Sequence, residues 1–417
     1  MKNSGSETER ILLAGVSQNL KDDINDTNEE TLNELSELCK TANGEVVDCV
    51  VQKRQSIDPS TYIGDGKLEE IKQKCSDMGI SLIVFDNELS GIQLRNLEKK
   101  TNVRVIDRSM LILDIFSKHA ETAEGKIQVK LAQLRYMLPR ISEMSDGLSR
   151  VGVGTGARGP GETKSEISKR YINQRIKALS SRLSEIEKNR HIKKAARKKS
   201  QVLQIALVGY TNAGKSSLMN VLTNESTTGD NKLFSTLDTK SVRFELPDGT
   251  DAVVIDTVGF IRKLPHHLIK AFHSTLEESM DADIILHVID VSSKEYKNHI
   301  KVVDEIIYGF PSGKDKKVIR VYNKTDKVET LSLLPDDGVC ISAVNKIGID
   351  ALISSVIRIN SENKSIVRLK IPQSEYKLLS DLYSHENVVK KQFTENYIYV
   401  TAEIDKKNIS KYKNFLI

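Results

Sequence analysis

Residues 204–224 read QIALVGYTNAGKSSLMNVLTN: an apolar strand, a glycine loop and the start of a helix. Gly209, four residues, then Gly214-Lys215-Ser216 make the G-x-x-x-x-G-K-S pattern in the setting it requires. Glycines let the backbone fold into a nest of N–H groups aimed at phosphate oxygens. A helix beginning at Lys215 adds its positive end. Lys215 brings a mobile cation to the outer phosphates, and the Ser216 hydroxyl can bind Mg²⁺. The residues expected against the phosphates are Gly209, Tyr210, Thr211, Asn212, Ala213, Gly214, Lys215, Ser216 and Ser217.

Three further stretches complete a nucleotide site. VVIDTVG (253–259) ends a strand in Asp256, suited to holding Mg²⁺ through a water. Thr257 and Val258 lead to Gly259, whose backbone N–H can meet the terminal phosphate. VIRVYNKTD (318–326) supplies Asn323, Lys324, Thr325 and Asp326. A carboxylate there accepts two hydrogen bonds from guanine, at N1–H and the 2-amino group; adenine offers neither donor. The Lys324 stem can lie along the base plane. CISAVNKIG (340–348) places Ser342, Ala343 and Val344 after another strand, with the Ala343 N–H expected on the guanine 6-oxo group. Between phosphate loop and Asp256 lies KLFSTLDTK (232–240). Thr236 is the expected cover for Mg²⁺ and γ-phosphate, flanked by Phe234, Ser235, Leu237 and Asp238; Thr239 is the alternative. The set predicts GTP and GDP with Mg²⁺. Ser216, Thr236 and Asp256 are at the metal; Lys215, Thr236 and Gly259 are at the reacting phosphate.

Phe260 follows Gly259, where many phosphate switches carry a polar residue that positions water. A phenyl ring cannot do so. Either hydrolysis does not occur or the missing groups come from elsewhere.

The elements that must hold these residues form four expected regions. Residues 1–112 alternate strands such as RILLAGVS (10–17) and SLIVFD (81–86) with helices such as EETLNELSELCKTA (29–42), predicting a doubly wound α/β domain. Its strand–helix turns carry no G-x-G-x-x-G or lysine loop, which gives little support to a second, adenine nucleotide site. Residues 113–200 carry no strand signal. Ile127, Leu131, Leu134 and Leu138 make one helical seam, which Pro139 is expected to end. Ile172, Ile176, Leu179, Leu183 and Ile186 make another. Two such seams can close into a hairpin, or each can pack on a neighbouring domain. Its tip, 149–163, is rich in glycine and holds Arg150 and Arg158, with Lys164 just beyond. The second helix ends in KNRHIKKAARKKS (188–200), a solvated face or a polyanion contact. Residues 201–362 form the nucleotide domain. Residues 363–417 read as a small α+β appendage, in the order strand–helix–strand–helix.

Bulk composition sets limits. The 417 residues are 39% hydrophobic and 29% charged, an ordinary globular profile with a mild net charge of +5. That charge permits an RNA partner without demanding one. Aromatics are only 5% and Trp is absent, so base stacking is not a general theme. The four cysteines make no C-x-x-C pair, which favours neither zinc nor a disulfide frame and suggests a reducing, cytoplasmic setting. No secretory signal or membrane span is legible. A monomer is expected.

Beyond the nucleotide motifs the chain resembles the HflX family, a branch of the translation-factor-like GTPases within the Obg–HflX superfamily. The resemblance is carried by TYIGDGKLEEI (61–71), RNLEKKTNVRVIDRSMLILDIFSKHAETAEGKIQVKLAQLRYMLPR (95–140) and GARGPGET (156–163). It continues through GYTNAGKSSLMN, LFSTLD, DTVGFIRKLPHHLIKAFHSTLEE and ADIILHVIDVS. It implies an N-terminal α/β domain, a helical hairpin, a GTPase domain and a small C-terminal domain. It also implies binding to the large ribosomal subunit and its rRNA, with GTP-gated splitting or rescue of stalled ribosomes. The hairpin loop would point at the catalytic centre of ribosomal RNA, which suits Arg150, Arg158 and Lys164.

The family has a hydrophobic residue in the usual glutamine position, so Phe260 implies slow hydrolysis until the ribosome supplies what is missing. Asn212 has the side chain that similar GTPases use to hold K⁺, although it can equally brace the loop. An alternative reading is a GTP-gated binding module in which hydrolysis serves only release. Two stretches depart from the family pattern. Leu237-Asp238-Thr239-Lys240-Ser241-Val242 replaces L-D-P-T-T-R, and KSEISKR (164–170) replaces Q-L-E-x-D-R-R.

Overall fold

The first strand, β1 (Glu9–Ser17), is buried from Ile11 onward, as a strand covered on both faces must be. The computed structural model describes residues 8–18, 27–149, 164–198, 202–224, 233–234, 240–263, 273–310, 316–328, 334–362, 364–385, 387–406 and 409–417. β2 (Gly44–Lys53), β3 (Leu82–Phe85) and β4 (Arg104–Asp107) join β1 in a parallel sheet of order β2-β1-β3-β4. The connecting helices are α1 (Glu29–Thr41), α2 (Asp65–Met78) and α3 (Gly91–Thr101). Asn28 with Thr31 and Ser90 with Gln93 make reciprocal caps at the starts of α1 and α3. Gly79 and Asn102 end α2 and α3 in the left-handed region. α2 and α3 seal one face through Leu68, Ile71 and Leu97. α1 and α4 (Arg108–His119) seal the other through Leu35, Leu38 and Phe116.

α5 (Ala123–Ser149) and α6 (Lys164–Lys198) pack along one another. α5 does not stop at Pro139 but carries it inside the helix. The helix runs on through the proline, and Arg140 just past it is held by Asp107 (3.2 Å) and lies over the Tyr136 ring. Val129, Ala132 and Tyr136 join the core around α4, while Ile127, Leu131 and Leu134 are buried on the adjacent face. Arg140 Nη1 donates to Tyr136 O at 3.0 Å in the turn where the proline removes a backbone donor. The α6 seam is only half covered: Ile172 is buried, and Ile176, Leu179, Leu183 and Ile186 are partly exposed.

A second sheet follows, of order β10-β9-β8-β5-β7-β6. Its strands are β5 (Leu203–Gly209), β6 (Lys240–Glu245), β7 (Asp251–Asp256), β8 (Ile284–Asp290), β9 (Lys317–Asn323) and β10 (Gly338–Cys340). β6 runs antiparallel to β7; every other pairing is parallel. The helices are α7 (Lys215–Thr223), α8 (His273–Met280), α9 (Tyr296–Gly309) and α10 (Ile349–Glu362). The strands carry the site residues at their carboxyl ends, where open α/β sheets bind ligands.

The C-terminal part holds β11 (Lys364–Pro372), α11 (Tyr376–His385), β12 (Asn387–Phe393) and β13 (Tyr397–Asp405), with an antiparallel sheet of order β11-β13-β12. β12 was not legible in the sequence: NVVKKQF carries two lysines and a bulge after Val388 that breaks its alternation. The expected last helix is a 3₁₀ segment, Ile409–Phe415. No described helix is long and apolar enough to cross a membrane.

Candidate nucleotide site

β5 delivers the chain into the phosphate loop, and α7 begins at Lys215 behind Gly214. Gly214 sits at φ +92°, with Asn323 Nδ2 only 2.3 Å from where a Cβ would stand, so no other residue fits. Gly259 is constrained likewise: a Cβ there would lie 2.9 Å from Thr211 Cα. The loop and the end of β7 are stitched together by Phe260. Its N–H donates to Gly209 O at 3.1 Å, and its carbonyl accepts from Thr211 N–H at 2.7 Å. The phenyl ring is 2% exposed and belongs to the core shared with α4, so it takes no part in the phosphate cavity.

Lys215 is buried, and its ammonium donates to Gly209 O (3.2 Å) and Tyr210 O (2.9 Å). Burial pulls its pKa down to about 8; Asp256 opposes this and Lys324 adds to it. Ser216 Oγ donates to Asp256 Oδ2 at 2.7 Å. A hydroxyl and a carboxylate this close are hard oxygen donors, the set Mg²⁺ accepts when water and phosphate complete its shell. The donor set therefore fits Mg²⁺. Among the described residues no group of three His, Cys, Asp or Glu makes a self-sufficient metal cage.

The base end is built by side chains that bridge loops. Asn323 Nδ2 donates to Ala213 O at 2.8 Å, and its Oδ1 accepts the Ala343 N–H at 3.0 Å. Asn323 thus ties the phosphate loop to the loop after β10, and the Ala343 N–H expected on guanine is spent on Asn323. Asp326 is exposed, with Oδ1 accepting from Ser342 Oγ at 2.5 Å. Lys324 sits at φ +64° and donates to Asp290 Oδ2 at 2.7 Å. Thr325 Oγ1 donates to Ile341 O at 2.9 Å, fixing the turn. Val344 is 78% exposed at the rim.

Not every sequence-selected residue turns its side chain to this site. Phe234 is buried edge-on against Phe116 of α4, ring centroids 4.7 Å apart. Tyr210 points its hydroxyl at Glu34 of α1 and accepts the Arg262 N–H at 2.7 Å. Ser235, Thr236, Leu237, Asp238 and Thr239 lie outside the described residues, as do Arg150 and Arg158; Lys164 begins α6.

The same geometry exposes residues that sequence reading missed. Arg262 and Lys263, just past Phe260, reach the first sheet's helices and strand ends. Arg262 is 4% exposed and pairs with Glu30 (3.3 Å) and Glu295 (2.9 Å). Lys263 pairs with Asp86 at the end of β3, and Asp86 also accepts from Arg108 at 2.8 Å. Burial alone would raise Asp86, but the charges of Arg108 and Lys263 win and hold its carboxyl low. The available signal was FIRKLP itself, a basic pair directly after D-x-x-G.

The Tyr210 ring lies flat on His299 of α9, centroids 3.8 Å apart. Burial and then Arg262 pull the His299 pKa down to about 4, against weaker opposite pulls from Asp290 and Glu295. An unfolded imidazole titrates near 6.5. The unfolded chain therefore takes up a proton that the folded one refuses, and stability falls as pH drops from about 6.5 toward 4. The urea midpoint should be lower at pH 5 than at pH 7, and His299→Gln should flatten part of that slope. Identical slopes in both proteins would remove His299 as a cause.

A glycine loop opening a helix at a buried lysine, a paired hydroxyl and carboxylate, and an N-K-x-D turn, gathered at the carboxyl side of one sheet, are the arrangement of a P-loop GTPase. Residues 29–117 match the family described as "GTP-binding GTPase N-terminal", 119–197 the "GTP-binding GTPase Middle Region" and 204–324 the "50S ribosome-binding GTPase". "GTPase HflX" of Caldanaerobacter subterraneus is 42% identical over 100% of this chain and 96% of its own length. That of Lacrimispora saccharolytica is 42% identical over 95% and 93%. That of Escherichia coli is 36% identical over 89% and 88%. The chain belongs to the HflX family of GTPases.

Proposed function

We propose that this GTPase binds the large ribosomal subunit and its rRNA, splits or rescues stalled ribosomes, and hydrolyses GTP slowly until that subunit stimulates it. The observation that carries this reading is Phe260. Its ring is locked into the core, so the position that would orient water offers none of the needed chemistry. In this reading Lys215 and the Gly259 N–H would hold the outer phosphates, and Ser216, Asp256 and Thr236 would hold Mg²⁺, which would supply positive charge against the phosphate oxygens. Asp326 selects guanine. Asn212, which is exposed at φ +59°, would hold K⁺ beside the phosphates in this reading. Arg150, Arg158 and Lys164 meet rRNA from the hairpin. The proposed division is an α/β domain (1–112), the hairpin (113–200), the GTPase domain (201–362) and the small α+β domain (363–417). The proposed form is a cytoplasmic monomer.

The deciding experiment is GTP turnover with and without purified large subunits, in potassium and in sodium. Groups delivered in trans can contribute roughly 10³–10⁵ in rate. We expect stimulation of that order by the subunit, stronger in potassium. Full-speed turnover by the protein alone, indifferent to added subunits, would overturn the proposal. Ribosome splitting with a non-hydrolysable GTP analogue would show that hydrolysis serves only release.

A further inference from the structure

The outer face of the C-terminal sheet combines charge, aromatic rings and an open surface in a way the nucleotide site does not use. Residues 363–417 hold ten Lys or Arg against six Asp or Glu, so they supply +4 of the chain's net charge of +5. They also hold five of its twelve tyrosines. Aromatics are scarce in the chain as a whole and concentrated here.

Strand periodicity sorts these residues. On the central strand β13, Ile398, Val400, Ala402 and Ile404 are buried under α11 and the 3₁₀ segment. Tyr397 and Tyr399 alternate with them and stand on the opposite face. On β11, Lys370 pairs with Tyr399 and Arg368 with Thr401. On β12 the bulge after Val388 brings Lys390 opposite Thr401 and Gln392 opposite Tyr399. Two tyrosines therefore lie along the middle of the face, with Arg368 and Lys370 on one side and Lys390 and Gln392 on the other. The Lys370 ammonium stands 4.2 Å from the Tyr397 ring centroid, so a cation already sits beside a stacking surface.

We infer that this face binds single-stranded RNA. Base faces are buried in a duplex and free in a single strand, so tyrosine platforms favour the single strand. The flanking cations match its phosphates. Gln392 and Thr401 supply the polar groups that a 2′-hydroxyl can engage, which favours RNA over DNA. The inference extends the ribosome reading by a second RNA contact, far along the chain from the hairpin tip, and is tested apart from it.

The test uses the full chain with a labelled single strand of about ten nucleotides, within the range one small domain covers. The same sequence as DNA and as an RNA duplex provides the comparison arms. Tyr397→Ala with Tyr399→Ala should weaken single-stranded RNA binding on the order of tenfold or more, since stacking is lost. Tyr→Phe at both positions should retain it. Arg368→Gln, Lys370→Gln and Lys390→Gln together should reduce the slope of log affinity against log salt by about 2. Ultraviolet cross-links should map to β13. GDP binding by every variant reports an intact fold.

Unchanged affinity in the alanine pair would overturn the inference. So would equal weakening for single strand and duplex, the mark of a bare basic patch, or equal affinity for DNA. Variants that lose only intact subunits, with free RNA binding untouched, would assign the face to a protein instead. If the wild type binds the RNA but no large subunit, the ribosome reading fails alone.

Discussion

Lys215→Ala abolishes tight GTP binding while leaving the nucleotide-free protein folded. The two halves of this expectation have different causes. A lysine on the outer phosphates makes charge-assisted hydrogen bonds worth roughly 1.5–3 kcal/mol each. Losing two of them weakens GTP by about 10²–10⁴-fold. In the empty protein Lys215 contributes little. Its amine is buried, its pKa is pulled down to about 8, and its hydrogen bonds go to two backbone carbonyls. Neither carbonyl depends on it: Gly209 O also accepts from Phe260 N–H, and Tyr210 O from Ala213 N–H. Truncation therefore leaves no orphaned acceptor. Thermal melts and nucleotide titrations separate the effects. Wild type should gain about 2.7 kcal/mol of stability at a hundredfold excess of GDP over Kd, and the variant almost none. Near-normal GTP affinity in the variant would overturn the phosphate-loop assignment.

What could be read in the sequence was local. G-x-x-x-x-G-K-S, D-x-x-G and N-K-x-D each fix a strand and the turn after it, so residue order alone places Lys215 at the start of α7, Asp256 at the end of β7 and Asp326 in the turn after β9. What escaped was long-range. Tyr210 lies in the phosphate loop, yet its hydroxyl meets Glu34, 176 residues away. Arg262 reaches Glu30 across 232 residues, and Lys263 reaches Asp86 across 177. Such pairings depend on how two sheets dock, which periodicity does not encode. Pro139 shows the same limit: a local rule predicts a stop, whereas α5 continues, with Arg140 just past the proline held by Asp107 and Tyr136 from distant and preceding turns. β12 was missed because its bulge breaks the two-residue alternation that reveals a strand.

These long-range contacts fall on residues that flank the candidate nucleotide site. Phe234 precedes the threonine expected on Mg²⁺, and its ring packs on Phe116 of α4. Phe260, Arg262 and Lys263 follow Gly259 and are held by the core around α4, by Glu30 and by Asp86. Phe234 and the residues just past Gly259 are therefore fastened to the helices and strand ends of the N-terminal unit. Movement there would have to break or carry along the Lys263–Asp86 pair, which is buried, and removing one partner of a buried pair is costly. Through these contacts the N-terminal helices and strand ends brace residues on two sides of the candidate nucleotide site.

The second large effect is expected at the base. Asp326→Asn should invert the preference between guanosine and xanthosine triphosphates. Guanine presents N1–H and a 2-amino group, two donors that a carboxylate accepts together. Xanthine keeps N1–H but replaces the amino group with a carbonyl. An asparagine matches that edge: its oxygen accepts N1–H and its NH₂ donates to the 2-oxo group. Against guanine the same NH₂ faces the 2-amino donors, and one bond becomes a clash of donors. Two bonds to a charged group, at roughly 1.5–3 kcal/mol each, allow a change of about 10²–10⁴ in relative affinity. The surroundings should tolerate the exchange. Asp326 is exposed, and the Ser342 hydroxyl that donates to Oδ1 at 2.5 Å can donate equally to an amide oxygen. Asn323 cannot take over discrimination, because both ends of its amide are bound to Ala213 and Ala343. Competition of the two triphosphates for wild type and variant, read by displacement of a fluorescent nucleotide, gives the ratio directly. A variant that still prefers GTP by the wild-type margin would mean that the base is recognised elsewhere.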